Sequence, residues 1–178
     1  MNITYHTMVG IASSSVIAKK YSTKDNKKDN YKILKVIIIG IIVNILLHGV
    51  LDLIPHNYPI SLMNDIILVL CLSIFSIIFI KKKYRILTLS CICGSILPDI
   101  IDKFIVKIVL NSKNYLFPWH DSEVVNKFYK IYIKFISVEY YGLMNILITL
   151  IFLGVIIFYR KVFIRNFSSI INNEKGTM

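Results

Sequence analysis

Acidic residues are scarce in this chain: ten Asp and Glu stand against 21 Lys and Arg, for a formal net charge of +11. A soluble protein this basic would suggest nucleic acid. Here, however, the cations gather in short blocks that end apolar runs, the pattern that orients membrane helices, so no nucleic-acid partner is expected. Cysteine is rarer still. Cys71, Cys91 and Cys93 all fall in apolar stretches, and the Cys91–Cys93 spacing suits neither a zinc finger nor a redox motif. That excludes a disulfide framework and leaves them as packing or lipid-facing residues. Polar sequence of every kind is short. With 56% hydrophobic residues in 178 and a mean hydropathy of +0.66, too little of it exists to coat a water-soluble globule, and the bilayer is the expected solvent. No cation precedes the first apolar stretch, since Lys19 and Lys20 follow it, so a cleaved secretory signal is not expected.

What is present divides into about five membrane segments, an all-α helical bundle forming one domain over residues 1–178. A weakly apolar stretch from Ile3 to Ala18, with Ser13, Ser14 and Ser15 at its middle, is followed by a basic loop, Lys19 to Lys35. Val36 to Ile54 reads as a crossing, closed by HNYPISLMN with Pro55 and Pro59 in a tight turn. Asp65 to Ile80 is the third crossing and stops at KKKYR; Ile86 to Ile101 is a fourth, interrupted by Gly94, Pro98 and Asp99. Between Lys103 and Tyr141, Lys127, Lys130 and Lys134 recur at helical spacing among aromatic and aliphatic residues, which predicts an amphipathic helix along the interface. Tyr115, Trp119, Tyr140 and Tyr141 read as an aromatic belt. The last crossing is Gly142 to Tyr159, with a cytoplasmic tail from residue 160.

Charge sets the orientation. Placing the loops after the first, third and fifth segments inside puts 15 of the 21 cations on the cytoplasmic side, against 6 between Lys103 and Lys134. A multi-pass cell-membrane protein with its N-terminus outside and C-terminus cytoplasmic is expected. Depth then follows by counting. His6 lies 13 residues from Lys19, His48 lies 13 from Lys35, and Asp99 lies 14 from Arg85. Each offset corresponds to about 20 Å of helix, which places all three at one level in the outer half of the hydrocarbon.

Ionisable groups at that depth cost about 2.5–3.5 kcal/mol each on insertion scales and require pairing, water or a metal. In LLHGVLDLIPH, residues 46–56, His48 and Asp52 are i and i+4 and share a helix face, a spacing that can hold one cation. Pro55 ends the helix, so His56 belongs at the mouth as an outer ligand or proton carrier. In GSILPDIIDK, residues 94–103, Pro98 bends the helix and Gly94 admits a neighbour, turning Asp99 toward the bundle centre, with Asp102 on a nearby face. Gly10 sits one turn below His6 and permits close packing. His120 in FPWHDSE can close over the site as a lid. Imidazole with carboxylate suits zinc first, then manganese or iron(II), and disfavours soft thiolate metals. The bland readings are an interhelical hydrogen bond for His48 with Asp52, a helix cap for Asp99, and a solvated charge for Asp102.

The motifs H-x-x-x-G (His6, Gly10), H-x-x-x-D-x-x-P-H (His48, Asp52, Pro55, His56) and G-x-x-x-P-D (Gly94, Pro98, Asp99), in that order, resemble the bacterial family of membrane-bound metal-dependent hydrolases. The resemblance implies a helical inner-membrane protein in which His6, His48, Asp52 and Asp99 are metal ligands. The family's further histidine-rich stretch is represented here by His120 alone. Taken with the residues, this leads to a metal-dependent hydrolase acting on an ester or phosphoester, in which His56, His120 and Asp102 carry protons and a membrane lipid or envelope precursor is the substrate. The competing expectations are a small cation or proton carrier or channel, and a non-catalytic membrane partner protein stabilised by metal.

Overall fold

The computed structural model describes residues 3–20, 30–54, 61–112, 114–137 and 140–165. The α-helices among them are α1 (Ile3–Lys20), α2 (Asn30–Asp52), α3 (Leu62–Phe79), α4 (Arg85–Asp99), α5 (Ser122–Ile133) and α6 (Tyr141–Phe163). No strand occurs among the described residues beyond an isolated bridge between Ile80 and Ile164. α2 begins at Asn30, within the segment read as a basic loop up to Lys35. Lysine is among the better helix formers, so a lysine-bearing segment can continue the helix at little cost.

Among the described residues, three helices are long and apolar enough to cross a membrane: α2 from Ile33, α3 and α6. The expected count of five is not reached by α1 and α4, for a physical reason visible in the packing. α1 is the central helix, against which α2, α3, α4 and α6 all pack, and ten of its 18 residues are buried. A helix surrounded by protein has no need of a lipid-compatible exterior, so Thr4, Thr7, Ser14 and Ser15 are tolerated and bury completely or nearly so. Thr7, Ser14 and Ser15 hydroxyls return their hydrogen bonds to carbonyls of α1 itself. The surfaces of α2, α3 and α6 instead expose large apolar residues, among them Ile42, Leu46, Leu70, Ile74, Leu150 and Ile151.

Two ties set the helix directions. At one end the buried Asp65 carboxylate, at the start of α3, accepts from Ile3 N (2.7 Å), Thr4 N (3.0 Å) and the Thr4 hydroxyl, capping the α1 N-terminus from another helix. At the opposite end Lys81 N donates to Phe163 O and Arg165 N to Phe79 O, joining the ends of α3 and α6. Thus α1, α3 and α6 run one way and α2 and α4 return. The basic helix ends Lys19, Lys20, Lys81, Arg160 and Lys161 collect at the second end, where Tyr84 stacks on the fully buried Phe163 in the main apolar cluster with Ile11, Leu87 and Cys91. Cys71 and Cys93 are exposed on their helices; all three thiols are free.

The glycines read as close-approach points behave as such. A Cβ on Gly10 would stand 2.8 Å from Ile92 Cα, and one on Gly94 would stand 2.7 Å from Ile41 O, so α4 touches α1 and α2 backbone to backbone. Pro98 does not interrupt α4. The helix passes through it and continues into a π-helical stretch, Ile100–Val109. The expected amphipathic helix is α5, capped by Asp121 accepting from Glu123 N (2.8 Å), with no residue buried. The belt reading fails for two aromatics: Tyr141 is buried in the bundle, and Trp119 packs onto α2 rather than outward. Substituting Gly94→Ala will force α2 and α4 apart, costing about 1–3 kcal/mol. The check is the melting temperature in detergent, which should fall well below that of the wild type.

Candidate metal centre

Four elements converge at the end where α1 begins. His48 and Asp52 come from the last turns of α2, Asp99 from the last residue of α4, His6 from the first turn of α1, and His120 from a 3₁₀ turn, Pro118–His120. One ligand atom from each of His48, Asp52, Asp99 and His120 lies within 4.8 Å of the others. Such a group can hold a metal ion. The i, i+4 pair is in contact, His48 Nε2 to Asp52 Oδ2 at 3.0 Å. His120 Nε2 lies 3.1 Å from the same oxygen and 3.2 Å from Asp99 Oδ1, and His48 Nε2 lies 3.6 Å from Asp99 Oδ1.

The surrounding groups orient these ligands. His48 Nδ1 meets the Ser95 carbonyl at 2.6 Å, which makes Nδ1 the donor and leaves Nε2 with its lone pair toward the centre. Asp102, fully buried, does the same for His120: its Oδ2 lies 2.7 Å from His120 Nδ1. The Asp102 carboxylate also accepts from Leu116 N (2.8 Å) and Phe117 N (2.9 Å), fastening the loop that carries His120. That loop can return because Asn111 adopts a left-handed conformation, φ 47°, after the π-helical stretch. Trp119 seats its ring over α2 where Gly49 has no side chain; a Cβ there would come within 2.6 Å of the indole. His120 is therefore held from both sides.

Whether the residues suit a metal can be tested on His6. Its ring is fully buried and stacked on His48 with centroids 3.8 Å apart; Nε2 reaches Asp52 Oδ1 at 3.2 Å, while Nδ1 has no hydrogen-bond partner among the described residues. Three imidazoles and two carboxylates meeting at low exposure, with one buried ring nitrogen left over, form a donor set that suits a metal ion.

All of the sequence-derived site residues that are described come together, with some exchange of position. His120 reaches the ligand group itself instead of covering it from outside. Asp102 lies behind His120 and is not a solvated charge. His6 lies beside the four-residue group. His56 falls outside the described residues. Sequence reading missed Lys103, whose half-exposed ammonium lies 2.6 Å from Asp99 Oδ1, although the i, i+4 spacing of the two was visible. It also missed the Gly49 notch and the Ser95 carbonyl, which no local pattern announces.

Without metal, burial works to lower the pKa of His120. Its bonds to Asp52, Asp99 and Asp102 outweigh that and hold it up at about 9, against an ordinary 6.5. Comparison of the chain with protein-family models, with curated proteins and with solved structures yields no match.

Two outcomes follow for measurement. Asp102→Asn, which releases both the His120 tautomer and the loop, should weaken metal affinity roughly 10–100-fold, as outer-shell changes do; Gly49→Val, which expels Trp119, should act in the same direction. The chelator-treated protein should also be most stable while His120 is protonated. A raised folded-state pKa contributes fully below 6.5 and is lost as pH rises through about 9, so its melting temperature should fall across that window and flatten in His120→Gln.

Proposed function

We infer that this chain is a membrane-bound metal-dependent hydrolase acting on an ester or phosphoester near the outer face of the cell membrane. The observation that carries the reading is the buried His48, Asp52, Asp99 and His120 group with its oriented imidazoles. In this reading α1 to α4 and α6 all cross, α1 and α4 shielded by their neighbours, with the N-terminus outside and the C-terminus in the cytoplasm. α5 then lies along the outer interface with Lys127, Lys130 and Lys134 toward headgroups. The likeness of the His6, His48, Asp52 and Pro98–Asp99 motifs to the bacterial family of membrane-bound metal-dependent hydrolases points the same way.

A divalent ion, zinc first and manganese or iron(II) next, would supply a Lewis acid and lower the pKa of bound water toward 7. The chain's own residues do the rest. Ser95 and Asp102 keep the Nε2 atoms of His48 and His120 pointed inward. Trp119 and Phe117, stacked on each other at 5.2 Å, exclude water above the ligands. Lys103, half exposed at the mouth, offers a cation to a developing anion and favours an anionic ester. His56, which lies outside the described residues, has the proton-carrying role that its motif position implies.

A cation or proton carrier is the second reading, and buried polar groups below the site favour it: Ser13 donates to Asn44 Oδ1 at 2.9 Å. Most of that row is closed onto its own helices, though. Asn44 donates to Gly40 O and Ser95 to Ile92 O, which suits packing better than a relay. Elemental analysis of purified protein tests the first reading. One or two metal ions per chain are expected, falling below a tenth of that in His48→Ala and Asp99→Ala, together with chelator-sensitive cleavage of ester or phosphoester substrates. Absence of stoichiometric metal, or equal metal in the variants, overturns it. Proteoliposome flux abolished by Asp99→Asn, with no hydrolysis, would transfer the case to the carrier.

A further inference from the structure

Below the metal centre the bundle is not closed. α2 and α6 both pack on α1, and between them runs a cleft of about 260 Å³. Ala12, Ser13 and Val16 form its floor, Val43 and Leu47 one wall, Phe152 and Val155 the other. The single polar side chain there is Ser13, whose one hydroxyl proton is shared between Gly10 O (3.1 Å) and Asn44 Oδ1 (2.9 Å), so the lining is apolar except for one already engaged hydroxyl. The occupant must be apolar.

Shape narrows it further. From Val9 to Val16 the floor extends about 10 Å along α1 at 1.5 Å per residue, whereas a helix is about 10–12 Å across. The volume is also below the roughly 300 Å³ at which compact small-molecule pockets begin. A helix from a second copy would call for a stripe of small residues, and these walls are Val, Leu and Phe. A slim, flexible hydrocarbon chain fits all three conditions. The cleft's upper end is marked by Val9, three residues after His6, and by Leu47, immediately before His48. A chain lying in it would carry its ester or headgroup to the level of the ligands.

We propose that this cleft seats one acyl chain of a membrane lipid, which makes the substrate of the centre above it a lipid ester. The second clause rests on the hydrolase reading; the first does not. The experiment places the full-length protein in nanodiscs of phosphatidylglycerol and phosphatidylcholine, doped with a phosphatidylcholine bearing a mid-chain diazirine. After irradiation, labelled peptides are mapped by mass spectrometry. The expected result is labelling of Val16, Val43 and Val155 at least fivefold above Leu70 and Ile74, which face outward on α3 and meet bulk lipid equally.

Filling the cleft from either side, with Val16→Phe or Val155→Phe, should remove that excess while metal content stays at the wild-type level. Val16 is 42% exposed, so the first variant leaves the core untouched. Labelling equal to that of α3, or an excess that survives both substitutions, overturns the seat. Excess labelling without any ester or phosphoester cleavage keeps the seat and sinks the hydrolase reading. Cleavage that is indifferent to chain length and to both substitutions keeps the hydrolase reading and overturns the lipid ester as its substrate.

Discussion

Asp52 is the group on which the rest of the site depends. Its carboxylate lies within 3.2 Å of His6, His48 and His120, and through them it joins α1, α2 and the loop after α4. A carboxylate at 6% exposure between apolar helices is tolerable only with such company, because an unpaired charge there costs several kcal/mol. The same requirement explains why the polar groups are concentrated at one level. Spread through the bundle, each would need its own compensation.

That concentration shapes the helices around it. α1 can be weakly apolar because it is enclosed, and it is enclosed because Gly10 and Gly94 let α4 approach α1 and α2 backbone to backbone. Asp65 anchors its N-terminus from α3 and so holds His6 at the depth of Asp52. On the other side, the π-helical stretch after Pro98 places Asp99 toward the centre and Asp102 toward the loop, three residues apart yet with different tasks. Lys103 completes that turn by pairing with Asp99 at the mouth.

Much of this was legible before any coordinates. The depth count from the basic helix ends put His6, His48 and Asp99 at one level, and they meet; the i, i+4 reading of His48 and Asp52 holds at 3.0 Å; Gly10 and Gly94 are contact points. Other residues were misread where neighbours in space outweigh neighbours in sequence. Trp119 looks like any interfacial aromatic until Gly49, 70 positions away, provides its seat. The sequence leaves Asp102 between a site residue and a solvated charge beside Lys103, and the chain's return at Leu116 and Phe117 buries it. Val36 was read as a helix start because hydropathy marks where lipid begins, while hydrogen bonding lets α2 start at Asn30.

Sequence alone determined the apolar character, the helical class, the basic end and the residue types of the site, since composition and periodicity act locally and survive without partners. Tertiary structure alone decided which histidines enter the candidate metal group and which nitrogen each turns toward it. Those choices belong to contacts between segments far apart in the chain: His120 with Asp52 and Asp99, Ser95 with His48, Asp102 with a returning loop. A ligand's role depends on what holds its other side, and no spacing within one helix records that.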